Sequence, residues 1–182
     1  NNQTEQTILY ATKMSSGKGL NVLLPAFKLV LKDFPHCKLL VIGSGDKEFY
    51  EDMSRKLQIS KSVEFFSRKS HDEIMKIRKR VLLEVAPSVY PESFGRSALE
   101  SLASGVPVVA SNRGGLVDII EDNRTGYITD PTVDKLSEAI IKGIENNQKL
   151  RRNIVKEYPN LRYKFSEKPL EDHIKLYKSL IK

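Results

Sequence analysis

Short runs of apolar, largely β-branched residues return six times along this 182-residue chain, at 7–11, 38–42, 63–66, 81–86, 106–110 and 126–128, and segments of helical periodicity fill the intervals. An unbroken apolar run of that length reads as a strand covered on both faces. The connections are short, so successive strands are expected to run parallel, each pair joined by a helical crossover. The expected fold class is α/β: a Rossmann-like parallel sheet of about six strands with helices on both faces, in a single domain over residues 1–182. A hydrophobic content of 40% over that length suffices for a buried core.

The helices announce themselves by spacing. Leu20, Leu23, Leu24, Phe27, Val30 and Leu31 recur at helical intervals, and Pro35 ends the pattern. A weaker helix is expected near 49–57. Ser70-His71-Asp72-Glu73 has the form of a capping box, with Ile74 and Ile77 facing inward behind it. Ser93-Phe94-Gly95 opens a helix whose first residues include Arg96 and Ser97. A short helix follows at 116–120, another is marked by Val133, Leu136, Ile140, Ile141 and Ile144, and the rest is helical. Leu170, Ile174, Tyr177, Leu180 and Ile181 form a terminal apolar stripe.

In a parallel sheet, ligands bind beyond the carboxyl ends of the strands. That rule gathers Lys13, Lys18, Gly43, Gly45, Phe66, Ser67, Arg68, Glu92, Phe94, Gly95, Arg96, Ser97 and Gly114-Gly115 on one rim, since each follows a strand. Lys13 and Lys18 bracket a loop opposite the helix that starts at Gly95. Two ammonium groups facing a helix N-terminus suit a diphosphate, each charge-assisted hydrogen bond contributing about 1.5–3 kcal/mol. The plainer reading is two surface lysines.

Glu92 and Glu100 invite comparison with the acid and base of a glycoside hydrolase, which sit roughly 5–10 Å apart. The basic loop and the helix dipole instead favour two charged acceptors over a proton-donating acid. Such acceptors suit hydroxyl groups, as on a ribose and a hexose. Glu84, inside the buried run 81–86, has no account beyond a partner on a facing helix or a strand end that reaches solvent.

Composition narrows the partners. One cysteine, Cys37, forms no internal disulfide, and with histidines only at 36, 71 and 173 no metal-ligand cluster is expected. A reducing, cytoplasmic setting is the default, with no membrane span and no signal peptide in the polar start. A formal charge of +7 suggests nucleic acid, acidic lipid or phosphorylated metabolites. Lysines such as Lys28 and Lys32 sit on outer helix faces, and no aromatic residues interleave with the basic ones, which counts against a nucleic-acid module.

The segment Glu92-Ser93-Phe94-Gly95-Arg96-Ser97-Ala98-Leu99-Glu100, followed by Ala103-Ser104-Gly105-Val106-Pro107-Val108-Val109, Gly114-Gly115 and Thr125-Gly126, resembles the donor-binding half of retaining GT-B glycosyltransferases of the group 1 (GT4) family. The resemblance spans residues 7–144. It implies that Glu100 binds the ribose hydroxyls of a UDP- or GDP-hexose and Glu92 those of the sugar. Backbone N–H groups of Phe94, Gly95, Arg96 and Ser97 would meet sugar and distal phosphate, and Phe66, Ser67 and Arg68 would lie beside the base. Lys18 and Lys13 would neutralise the leaving diphosphate, and no metal is expected.

The departures from the family are Lys13 where arginine is usual, Asp118 where glutamate is common, and Glu84. The resemblance also implies an acceptor-binding half outside this chain, so the chain alone is expected to bind donor without transferring it; the segment 167–182 resembles one that often crosses back to that half, and packing of its apolar stripe on this domain is the favoured alternative. The acceptor would be a glycan or a lipid-linked sugar, with peripheral membrane contact in the intact enzyme. Mannosyl and glucosyl transfer both fit. A GT-B epimerase or phosphorylase, or a basic non-catalytic module, are the alternatives.

Overall fold

The computed structural model describes residues 6–169, 171–172 and 174–175. β1 (Thr7–Ala11), β2 (Lys38–Ile42), β3 (Val63–Phe66), β4 (Leu83–Ala86), β5 (Val108–Ser111) and β6 (Gly126–Thr129) form one sheet in the order β3-β2-β1-β4-β5-β6. Every pairing is parallel. The Rossmann-like reading is therefore correct, and the sheet is that of a doubly wound domain.

Helices join successive strands, as α1 (Leu20–Asp33), α2 (Lys47–Lys56), α3 (His71–Arg78), α4 (Arg96–Ala103) and the single turn α5 (Leu116–Ile119), and α6 (Val133–Glu145) and α7 (Asn147–Arg162) follow the last strand. Side chains alternate across the sheet. Ile8, Tyr10, Leu39, Val41, Leu83, Val85 and Val109 pack on one face against Leu20, Leu24 and Phe27 of α1 and Leu136 and Ile140 of α6. On the other face, Val108 and Ala110 meet α4, α5 and α7 through Leu102, Leu116 and Ile154. Leu9 and Ile42 meet Ile74 and Ile77 of α3 there.

Two strands are shorter than expected. Val81 and Val106 are buried, but the ladders begin at Leu83 and Val108. The backbone just before them is claimed by α7 instead. Arg151 donates through Nη1 to the Gly105 carbonyl at 3.2 Å and through Nη2 to the carbonyls of Leu82 (3.3 Å) and Val81. Asn147 donates to the Leu82 carbonyl at 2.6 Å. Burial lowers the Arg151 pKa, and the three carbonyls offset that cost.

Helix α7 was legible only as part of a generally helical remainder, although Leu150, Ile154 and Leu161, all buried, carry its spacing. A π-helical turn, Tyr163–Glu167, continues it. Of the terminal stripe, Leu170, Tyr177, Leu180 and Ile181 lie outside the described residues, and Ile174 is exposed. Among the described residues, no helix is long and apolar enough to cross a membrane.

Candidate functional site

The strand order reverses between β1 and β4. Loops leaving these two strands must diverge, because their crossover helices pack on opposite faces of the sheet, and the crevice between them is where such folds bind ligands. A cleft of about 430 Å³ lies there, lined by both loops, by the start of α4 and by the loops after β2 and β3.

Tyr10, buried near the end of β1, donates its hydroxyl to the Lys13 carbonyl at 2.7 Å and so fixes the first loop. Burial raises the Tyr10 pKa, which keeps the hydroxyl a donor. Across the crevice, Lys18 Nζ lies 2.6 and 2.7 Å from the two oxygens of Glu92. The Ser88 hydroxyl donates to the same carboxylate.

The Glu92 backbone is held by the loop after β5. Gly115 donates its N–H to the Glu92 carbonyl at 2.7 Å. Gly114, at φ +58°, passes so close that an added Cβ would stand 2.2 Å from the Glu92 carbonyl oxygen. Only glycine fits that position.

Gly95, also left-handed at φ +78°, precedes α4, and no side chain caps the helix. Its first-turn N–H groups and positive dipole end therefore remain available at the cleft, where Gly95, Arg96 and Ser97 form part of the wall. Glu100, one turn on, points its carboxylate into the same cleft.

Beneath Glu100 lies a buried ionic network. Arg78, 1% exposed at the end of α3, donates through Nε to Glu84 Oε2 at 2.8 Å and through Nη2 to Glu84 Oε1 at 3.3 Å. Nη1 reaches Glu100 Oε2 at 2.8 Å, and Nη2 reaches the Ser97 hydroxyl at 3.0 Å and its carbonyl at 3.2 Å. The Ser97 hydroxyl donates in turn to Glu84. Burial acts to lower the Arg78 pKa, but the facing Glu84 and Glu100 carboxylates outweigh it and hold the group above its ordinary value. Burial likewise pushes the Glu84 carboxyl up, while Arg78 and Ser97 pull it back. The partner of Glu84 is thus a cation on the adjacent helix.

Of the residues singled out in the sequence, Lys13, Lys18, Gly43, Arg68, Glu92, Gly95, Arg96, Ser97 and Glu100 line the cleft. Gly45, Phe66, Ser67 and Phe94 do not. Gly45 bridges to Met14. Phe66 ends β3 on the far edge of the sheet, where Lys69 Nζ stands 5.5 Å over its ring. Phe94 turns outward to an edge contact with Phe165 at 5.8 Å. Sequence reasoning missed Arg78, Ser88 and His71, whose Nδ1 lies 3.8 Å from Glu100 Oε1. A charged residue inside a buried strand run was the one signal pointing to Arg78.

The strand order and the placement of this cleft define a Rossmann-like domain with its binding crevice at the switch point. The chain belongs to the family described as Glycosyl transferases group 1, whose family model matches residues 1–160. It is 34% identical over 142 residues to an uncharacterized glycosyltransferase of Methanocaldococcus jannaschii, covering 78% of this chain and 35% of the relative. It is 30% identical over 125 residues to the glycogen synthase of Mycobacterium tuberculosis, covering 68% of this chain and 30% of that one.

Among solved structures, TarM of S. aureus matches with a TM-score of 0.85 at 26% identity, over 96% of this chain and 35% of that chain. Anabaena HepE, solved with UDP and glucose, matches with a TM-score of 0.82 at 22% identity, over 97% of this chain and 48% of that chain. The chain thus spans about a third of the curated relatives and between a third and a half of these solved chains. Its sheet corresponds to one half of the GT-B architecture.

Proposed function

We propose that this domain binds the nucleotide-sugar donor of a retaining hexosyltransferase that moves mannose or glucose from a UDP- or GDP-sugar to a glycan or lipid-linked acceptor, in the cytoplasm or at its membrane face. The carrying observation is the convergence, on one switch-point cleft, of Lys13, the Lys18–Glu92 pair, the uncapped start of α4 and Glu100. The likeness to HepE, whose structure holds UDP and glucose, supports the same reading.

In this reading Glu100 accepts from the ribose hydroxyls, and the N–H groups of Arg96 and Ser97 meet the distal phosphate. Lys18 and Lys13 balance the charge that grows on the diphosphate as the bond from sugar carbon to phosphate oxygen breaks. The acceptor oxygen bonds to that carbon on the same face, and its proton passes to an oxygen of the departing diphosphate. Preorganised positive charge at the leaving group is then the largest contribution of this chain, and no metal is required for it. Glu92, held by Lys18, Ser88 and Gly115, orients the hexose through its hydroxyls. The acceptor is bound by a second domain outside this chain, so the chain alone binds donor without transfer.

Calorimetric titration with UDP, GDP and ADP tests the reading. Binding of at least one, weakened about tenfold or more by Glu100→Ala, is the expected result. No binding by any of the three, or binding indifferent to that substitution, overturns it.

A further inference from the structure

We propose that Arg78 is the positioning residue of the ribose clamp, setting the place of Glu100 relative to the phosphate-facing first turn of α4. The proposal rests on the reading of Glu100 as the ribose acceptor and goes beyond it to the residue that makes Glu100 competent. Three donor nitrogens of one guanidinium serve three residues on two elements. Nε and Nη2 hold Glu84 on β4, Nη1 holds Oε2 of Glu100 in the second turn of α4, and Nη2 also holds Ser97 in the first turn. The Ser97 hydroxyl oxygen also lies 3.1 Å from the Ala11 carbonyl oxygen, at the end of β1.

The order of dependence follows from burial. Arg78 and Glu84 are each 1% exposed, whereas the Glu100 side chain is 27% exposed. A charge removed from water must be paired, so Glu84 fixes Arg78 and Arg78 fixes Glu100, not the reverse. With Oε2 engaged below, Oε1 of Glu100 remains at the cleft, 3.8 Å from His71 Nδ1 and 3.9 Å from Arg96 Nε. A glutamate held this way need not be immobilised when a ribose arrives, which lowers the ordering cost of binding. Lysine cannot replace the fork, since one ammonium does not span three acceptors in a plane.

The test separates ribose recognition from stability. The 182-residue chain is titrated with UDP, GDP and ADP, and the tightest ligand is compared with its 2′,3′-dideoxy counterpart. Unmodified protein should prefer the ribonucleotide by about tenfold or more. Two variants are then measured: Arg78→Lys, which keeps a charge, and the double variant Arg78→Leu with Glu84→Leu, which removes the buried pair without stranding a carboxylate.

In both variants the ribo-to-dideoxy preference should fall to within about twofold, while affinity for the dideoxy ligand moves by less than about threefold. A preserved preference in folded variants, or equal losses on both ligands, overturns the role of Arg78 and leaves the donor reading standing. Failure of the unmodified chain to bind any of the three nucleotides overturns the donor reading and this role together.

Discussion

Lys18 and Glu92, 74 residues apart in the chain, meet across the crevice between β1 and β4 with the ammonium astride both carboxylate oxygens. The side chains are 35% and 19% exposed. A pair so near water contributes about 1 kcal/mol or less to stability. On the proposed donor-binding reading its value lies in presentation: one charge offered to an anion and one acceptor offered to hydroxyls, each holding the other still.

Lys18→Met should therefore lower the unfolding free energy by no more than about 1 kcal/mol, while weakening nucleoside diphosphate binding about tenfold or more. Glu92→Gln should leave affinity for the free nucleoside diphosphate within about threefold and weaken affinity for the matching nucleotide-sugar further, because only the latter presents a hexose. Urea unfolding and calorimetry read the two quantities separately. A Lys18 variant that lost stability but bound normally would contradict the assignment.

Gly114→Ala places a methyl group 2.2 Å from the Glu92 carbonyl oxygen at a backbone φ of +58°. The left-handed conformation alone costs about 1–3 kcal/mol for a non-glycine residue, and the clash adds to it. The expected outcome is a lower urea midpoint together with weakened nucleotide-sugar binding, since the loop that holds Glu92 must move. An unchanged midpoint would show that the loop yields freely and does not hold Glu92.

Arg151→Met takes the guanidinium from the carbonyls of Val81 and Gly105 and leaves that of Leu82 to Asn147. Loss of hydrogen bonds to a charged donor should cost about 2 kcal/mol of stability. The site of damage is the amino-terminal edge of the sheet, opposite the cleft, so nucleotide affinity in the folded fraction should hold within about twofold. A binding loss larger than that would mean the two rims are coupled.

Cys37 is fully buried, and burial pushes its thiol up to about 12. The thiolate is the reactive form, so the native protein should resist maleimide or a disulfide reagent at pH 8 and react promptly once unfolded in urea. Rapid labelling of the native chain would contradict this burial.

Much of the fold was legible because each strand is a short apolar run and each crossover shows helical spacing; the register Thr7↔Lys38 through Ala11↔Ile42 follows from two such runs lying side by side. The capping box at Ser70 and Glu73 was equally plain, and both of its reciprocal bonds are present. These are local features, decided within a few residues. The network around Arg78 is not. Ile74 and Ile77 carry the apolar spacing of α3, yet the fully buried residue of that helix is Arg78. A guanidinium is buried only when distant carboxylates meet it, here from β4 and α4, and no periodicity within the helix can reveal them. Phe94 shows the same limit, because its outward turn depends on Phe165, 71 residues later in the chain.

Strand β4 is gripped by two arginines from two different helices. Arg151 seizes the backbone where the strand begins, and Arg78 seizes the Glu84 side chain within it. Neither grip involves the loops that reach the cleft from β2 and β3. Residues in those two loops can therefore change without loosening β4, and the strand that leads to Ser88 and Glu92 keeps its place. One rigid beam under replaceable fittings is what a fold needs if many donor specificities are to arise on it.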